Sequence, residues 1–367
     1  MWQWRKGLAE RAAKTDPAAT KPSDDEPVSP SDLTGDFETA RRLIETGAHE
    51  DVVIHPSLPE ALSSMCSGAV LVRWRLSPTP EPVRVIPVSG PGKTWGLRGS
   101  AAGTGVAAVA SGTVLLWDWR DLGVVEELPA ELLPDRVQGH PAWSSDGRLL
   151  ALVGGEELVI VDVARGLRYD ADSDDDEDGI MFGDWSITPR FSPDGRRLAV
   201  GNSMQGTVWL SMIGVSADVV LTERYARGDV PQRDLSELVV SVVFSPDGSR
   251  FAAWVRPDVG RTRANGYRGG LVVRESATGD PVWDLRVDNE VTGEPGAAWS
   301  APLCFTACGT WIAVGLDTGV LWADAETGVP AAELTPIGEV RALAGAAHVG
   351  VVAATDHGVH RLSPPAR

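Results

Sequence analysis

The chain has 367 residues, 43% of them apolar, enough for one large domain or two ordinary ones with a sizeable core. Its 51 acidic and 33 basic residues give a net charge of −18, which disfavours nucleic acid and anionic membrane as principal partners, since both need a basic footprint. No run approaches the roughly 18 apolar residues of a membrane span, MWQWRKGLAERAAK lacks the apolar centre of a secretory signal, and three cysteines (Cys66, Cys304, Cys308) fit a reducing compartment, so a cytoplasmic location is expected.

In chain order, residues 1–35 read as a flexible leader, because 11–32 are rich in Pro, Ala, Ser and Asp and poor in apolar side chains. Residues 36–50 hold a short helix, FETARRLIETG. Phe37, Ala40, Leu43 and Ile44 share one face, and Gly47 is its C-terminal stop. From 51 to the end, short apolar runs alternate with turn residues and read as strands. Fourteen tryptophans, against six Phe and three Tyr, suit broad β-surfaces where a large ring covers apolar neighbours.

FSPDG occurs at 191–195 and 244–248, with weaker copies WSSDG at 143–147 and FTACG at 305–309. Pro presets φ for the second turn position and Gly tolerates φ > 0, so the phrase closes a hairpin. After each such turn comes a bulky apolar residue and then a small one. The pairs are Leu62-Ser63, Val106-Ala107, Leu150-Ala151, Leu198-Ala199, Phe251-Ala252, Ile312-Ala313 and Val352-Ala353, spaced by 44, 44, 48, 53, 61 and 40 residues. A period near 40–45 residues built from strands alone predicts an all-β, seven-bladed β-propeller with four-stranded antiparallel blades. A second anchor follows about ten residues on, where an apolar strand ends in Asp118, Asp162, Glu275 or Asp324 before a turn that ends in Gly166, Gly279 or Gly328 in three cases.

These phrases resemble the WD40-repeat family: FSPDG, an apolar-Ala pair, then an acid-ended strand and a small-x-Gly turn. Gly139-His140 matches that family's Gly-His element, and the resemblance covers about 51–364. It implies a propeller and a protein-interaction role. Trp117-Asp118 is the one literal Trp-Asp pair at that position, and no repeat carries the whole Asp-His-Ser/Thr-Trp hydrogen-bond set. The last repeat lacks an outermost strand. The resemblance implies one borrowed from the N-terminus, for which MWQWR, with Trp2 and Trp4 on one face, is the candidate. The alternative is a three-stranded last blade.

Motifs with chemistry read weakly. VSGPGKTWG (88–96) ends like a phosphate-binding loop, but Pro87 stands where the first Gly is needed and Lys93-Thr94 enters a strand. In DDDEDG (174–179), Asp174, Asp176 and Asp178 alternate as in a calcium loop, yet the twelfth position is Trp185 and no helices flank it. CFTAC (304–308) lacks a second ligand pair for zinc. Cys304 falls in an inner strand, and Cys308 at the Asp position of the repeat turn. No acid pair or nucleophile–base pair stands out. No catalytic residue, cofactor or metal ligand is therefore assigned, and a small-molecule ligand is not expected.

Strand alternation sorts the loops. The insertions 171–185, 226–236, 256–268 and 288–298 all fall on one face, while the FSPDG turns occupy the other. Repeat proteins concentrate insertions on a binding face. The expected partners are proteins or peptides, bound through Asp174, Asp176, Trp185, Arg256, Arg261, Arg263, Tyr267 and Arg268. A propeller enzyme (hydrolase or lyase), or a ligand- or calcium-sensing module using the central channel, is the alternative.

Overall fold

The computed structural model describes residues 37–366 apart from 89–93, 124, 155–156, 172–184, 205–206, 228–236, 258–266, 289–300 and 332–333. The chain forms a seven-bladed β-propeller. Within every sheet the strands follow sequence order and pair antiparallel; six blades have four described strands and the last has three. Blades 1 to 7 span 51–87, 94–127, 138–170, 185–227, 237–288, 303–336 and 340–362. Their inner strands are Asp51–Ile54, Thr94–Gly99, Gln138–Trp143, Trp185–Phe191, Glu237–Phe244, Leu303–Phe305 and Val340–Ala346. Each touches the next, and Val340–Ala346 touches Asp51–Ile54, so the ring is closed. Among the described residues no helix is long and apolar enough to cross a membrane.

A blade is an amphipathic sheet on both sides and has no core of its own, so its apolar residues are shared with neighbours. Seven hydrophobic clusters result, one at each junction between blades. The apolar-small pairs all lie in second strands and are at most 2% exposed. In blades 2 to 6 the bulky member packs on the preceding blade and the small one against the following blade. Leu198 joins blade 3 while Ala199 joins blade 5, and Ile312 joins blade 5 while Ala313 joins blade 7. The pairs in the terminal blades are one residue out of phase. Leu62 packs on blade 2, which follows it, and Val352 on blade 1. A one-residue slip turns a side chain to the opposite face of its sheet, so in those two repeats it is the bulky member of the pair that faces the following blade.

The repeated turns share one device. In Ser144–Gly147 and Ser245–Gly248 the serine hydroxyl donates to the aspartate at 2.6 Å in both, and accepts from the backbone N–H five residues on, at 2.9 and 3.0 Å. Gly147, Gly195, Gly248 and Gly309 all have φ near +70°. Glycine is also needed for contact between turns. A Cβ on Gly147 would lie 2.4 Å from Ser100 Oγ, one on Gly248 3.3 Å from Pro193 Cδ, and one on Gly309 3.6 Å from Pro246 Cδ. Each turn therefore seats on the turn of the blade before it. Blade 1 departs from the phrase: His55 stands at the serine's position, and its Nδ1 accepts from Ser57 N and Leu58 N.

The helix spans Phe37–Thr46, and Ile44 is fully buried where blades 7 and 1 meet, beside Val52, Met65, Val352 and Val359. Just beyond it, His49 N donates to Thr355 O of blade 7 at 2.8 Å. The described closure of the ring is thus a helix and a backbone bond. The candidate strand at 1–5, with Trp2 and Trp4, lies outside the described residues.

Candidate functional site

Antiparallel order fixes the two faces. The strand ends that bound the four insertions share one face, opposite the FSPDG turns. Trp185 opens the inner strand of blade 4 opposite Ser203, Arg256 stands opposite Leu238 near the end of the second strand of blade 5, and Tyr267 opens its third strand opposite Asp288. Arg268 occupies the register shift between Tyr267 and Gly269. These four backbone positions share the insertion-bearing face. Asp174, Asp176, Asp178, Arg261 and Arg263 lie outside the described residues.

Thr94 begins the inner strand of blade 2, and its buried hydroxyl donates to Gly68 O, which occupies the group a phosphate-binding loop would need. Cys304 is buried and its thiol is pushed up to about 12 by burial, whereas Cys308 is exposed and held down to about 7, first by the Thr306 hydroxyl and then by Thr310.

The channel wall carries a charged cluster whose members stand far apart in the sequence. Inner strands pair regularly with their neighbours in blades 1 and 6. Pairing slips between Trp95 and Arg98, Gln138 and Ala142, Ile187 and Arg190, Val239 and Ser241, and Val340 and Ala342. Bulges bend a strand and re-aim its side chains, and they gather beside functional sites. Gly96 and Gly139 sit in two of them with φ of +70°, and a Cβ on Gly96 would come within 3.2 Å of His140 Cα. Arg98 and Arg190 occupy matching positions, opposite Ala107 and Ala199.

In blade 1, Asp51 Oδ2 accepts from Gly96 N at 2.9 Å and Leu97 N at 3.3 Å, and its Oδ1 lies 3.5 Å from Arg98 Nη1. Arg98 Nη1 also donates to Leu97 O at 2.7 Å, and Nη2 donates to His140 Nδ1. Arginine cannot accept a hydrogen bond, so His140 Nδ1 carries the lone pair and Nε2 the proton. The ring is neutral, and burial, then Arg98 and Arg190, hold it well below the usual imidazole range. Trp95, 37% exposed, meets His140 edge-on at 5.7 Å. Burial raises Asp51, while Arg98 and the two N–H groups oppose that rise. Arg190 contacts its own neighbour, Pro189 O, at 3.3 Å, and among the described residues it meets no carboxylate. Burial and then the Arg98 charge push it well below the usual guanidinium range, with Asp51 as the compensating charge. Blades 1 to 4 thus direct two guanidiniums, one carboxylate and one neutral imidazole to a common region.

His140 is therefore not the repeat's Gly-His element: it belongs to a bulged inner strand. His49 precedes the inner strand of blade 1 and joins a buried polar chain. Trp74 Nε1 donates to Ser63 Oγ at 2.7 Å, Ser63 Oγ to His49 Nδ1 at 2.8 Å, and His49 Nε2 to Ile44 O at 2.9 Å. The chain ends on a carbonyl of the helix. The sequence did hold a signal for the channel cluster. Gly96, Gly139, Pro141 and Pro189 interrupt runs that otherwise read as strands, and such residues inside a strand mark bulges. Compared with profiles of known families and with curated proteins, the chain matches none.

Proposed function

We propose that the chain is a non-catalytic interaction platform of the WD40 type, which docks proteins or peptides through its insertion-bearing face. The asymmetry of the two faces carries this reading. One face is a ring of minimal turns seated on one another, leaving little freedom to change; the other bears all four insertions on a rigid scaffold, where recognition loops are usually placed. The WD40 assignment is supported by the hydroxyl–Asp–Gly turns, Trp117-Asp118 and the Trp74–Ser63–His49 chain.

The test compares the intact protein with a variant in which 258–266 is replaced by a short Gly-Ser link. Quantitative affinity capture from native extract identifies binders, and one is then measured as a purified pair. The expected result is a purified complex whose affinity falls at least tenfold in the variant. An unchanged set of partners and affinities would show that the assigned face is wrong.

A further inference from the structure

Among the described residues, the charges in the channel do not balance. Arg98 and Arg190 supply two positive charges, while Asp51 supplies one negative charge and His140 is neutral. A charge partly removed from water without a partner is costly, and here the half-buried Arg190 meets no carboxylate among the described residues. Asp51 already takes two backbone N–H groups and one Arg98 nitrogen, while Arg98 Nε is buried with no hydrogen-bond partner. His140 spends Nδ1 on Arg98 and keeps Nε2–H as a donor. Arg190 spends one N–H on a carbonyl of its own strand, and among the described residues the rest of its fork has no partner.

Scaffolding alone does not require this arrangement. The matching inner-strand positions of blades 3, 5, 6 and 7 hold Ala142, Val243, Cys304 and Ala344, opposite Ala151, Ala252, Ala313 and Val352. Arginine appears in blades 2 and 4 only, on either side of the blade that supplies His140. Planar guanidiniums match an oxyanion in a bidentate manner, and a neutral imidazole N–H adds a third donor.

We infer that the channel wall of blades 1 to 4 is a binding site for a phosphate-type oxyanion, held by Arg98, Arg190 and His140 with Asp51 fixing Arg98. The anion neutralises the surplus guanidinium. The site is independent of partner docking on the insertion-bearing face.

Inorganic phosphate is the probe, tested at constant ionic strength against chloride by calorimetry and thermal melting. In the intact protein, phosphate binds saturably and raises the melting temperature, while chloride does not. Arg190→Gln melts above the intact protein in chloride, because a half-buried cation with no carboxylate partner among the described residues is gone, and binds phosphate at least tenfold more weakly, as loss of a charged hydrogen-bond donor implies. Arg165→Gln, at an exposed guanidinium, retains the full response. A second reading leaves Arg190 in place: phosphate shifts the imidazole resonances of His140 in the intact protein along the same saturation curve. Absence of saturable binding overturns the inference. So does full binding by Arg190→Gln, an Arg190→Gln that is less stable in chloride, or a His140 signal indifferent to phosphate.

Discussion

At the scale of single residues, the polar groups of this propeller are held by a few fixed relays. In the Trp74–Ser63–His49 chain each donor has one acceptor, and the order works only with a neutral imidazole whose Nδ1 accepts. Protonation of Nδ1 would remove the acceptor of the Ser63 hydroxyl proton. Burial, above all, and the nearby His360 lower His49 from its usual 6.5 to about 4. Below 6.5 the unfolded chain binds a proton that the folded one refuses until about pH 4, so stability falls as pH drops through that window. The loss is about 3 kcal/mol, at roughly 1.4 kcal/mol per pH unit. Urea midpoints measured from pH 7 to 4.5 should show it. His49→Gln should flatten that segment relative to the intact protein, and an identical slope in both would refute the assignment. The turn aspartates show the same logic at the surface. The Ser245 hydroxyl and Ser249 N–H hold Asp247 below its usual range, and in blade 6 Thr306 and Thr310 do the same to the thiol of Cys308.

At the scale of elements, the FSPDG turn does two jobs at one glycine. It supplies a φ that other residues reach at a cost of about 1 to 2 kcal/mol, and it leaves room for the preceding blade's turn. Two glycines separate these effects. Gly166 has φ +63° with nothing within 4 Å of a built Cβ, whereas Gly147 has φ +71° with Ser100 Oγ at 2.4 Å. Gly166→Ala should cost only the backbone term, and Gly147→Ala about 1 to 2 kcal/mol more, since Ser100 is buried and must move. Equal losses in denaturant titrations would mean that the turns do not interlock. The turns were legible in sequence because their chemistry is local to five residues. The inner-strand bulges were not read, although Gly96, Gly139, Pro141 and Pro189 marked them, because a bulge is defined by the partner strand it fails to match.

At the scale of the whole molecule, stability is shared among seven junctions, and the one between blades 7 and 1 differs from the rest. Six junctions join blades consecutive in sequence; this one joins the two ends of the propeller and is plugged by Ile44 from the helix. Ile44→Ala should cost about 2 to 5 kcal/mol, as large-to-small changes in a filled core do. Amide exchange should quicken first in Asp51–Ile54 and Gly358–Leu362, with blades 3 and 4 unaffected. Uniform acceleration around the ring would indicate that this junction is not its weak point.

The sequence by itself determined the repeat, the number of blades, the helix and the side of the ring on which the insertions fall. All of these follow from patterns within a few residues, repeated at one period. Only the tertiary structure decided which way each side chain of blades 1 and 7 faces, since a slip of one residue leaves composition unchanged but reverses the packing. It also brought Asp51, Arg98, His140 and Arg190 together. They stand some 40 to 50 residues apart in sequence, and nothing local marks them as neighbours. They meet because closing the ring places four inner strands around one axis.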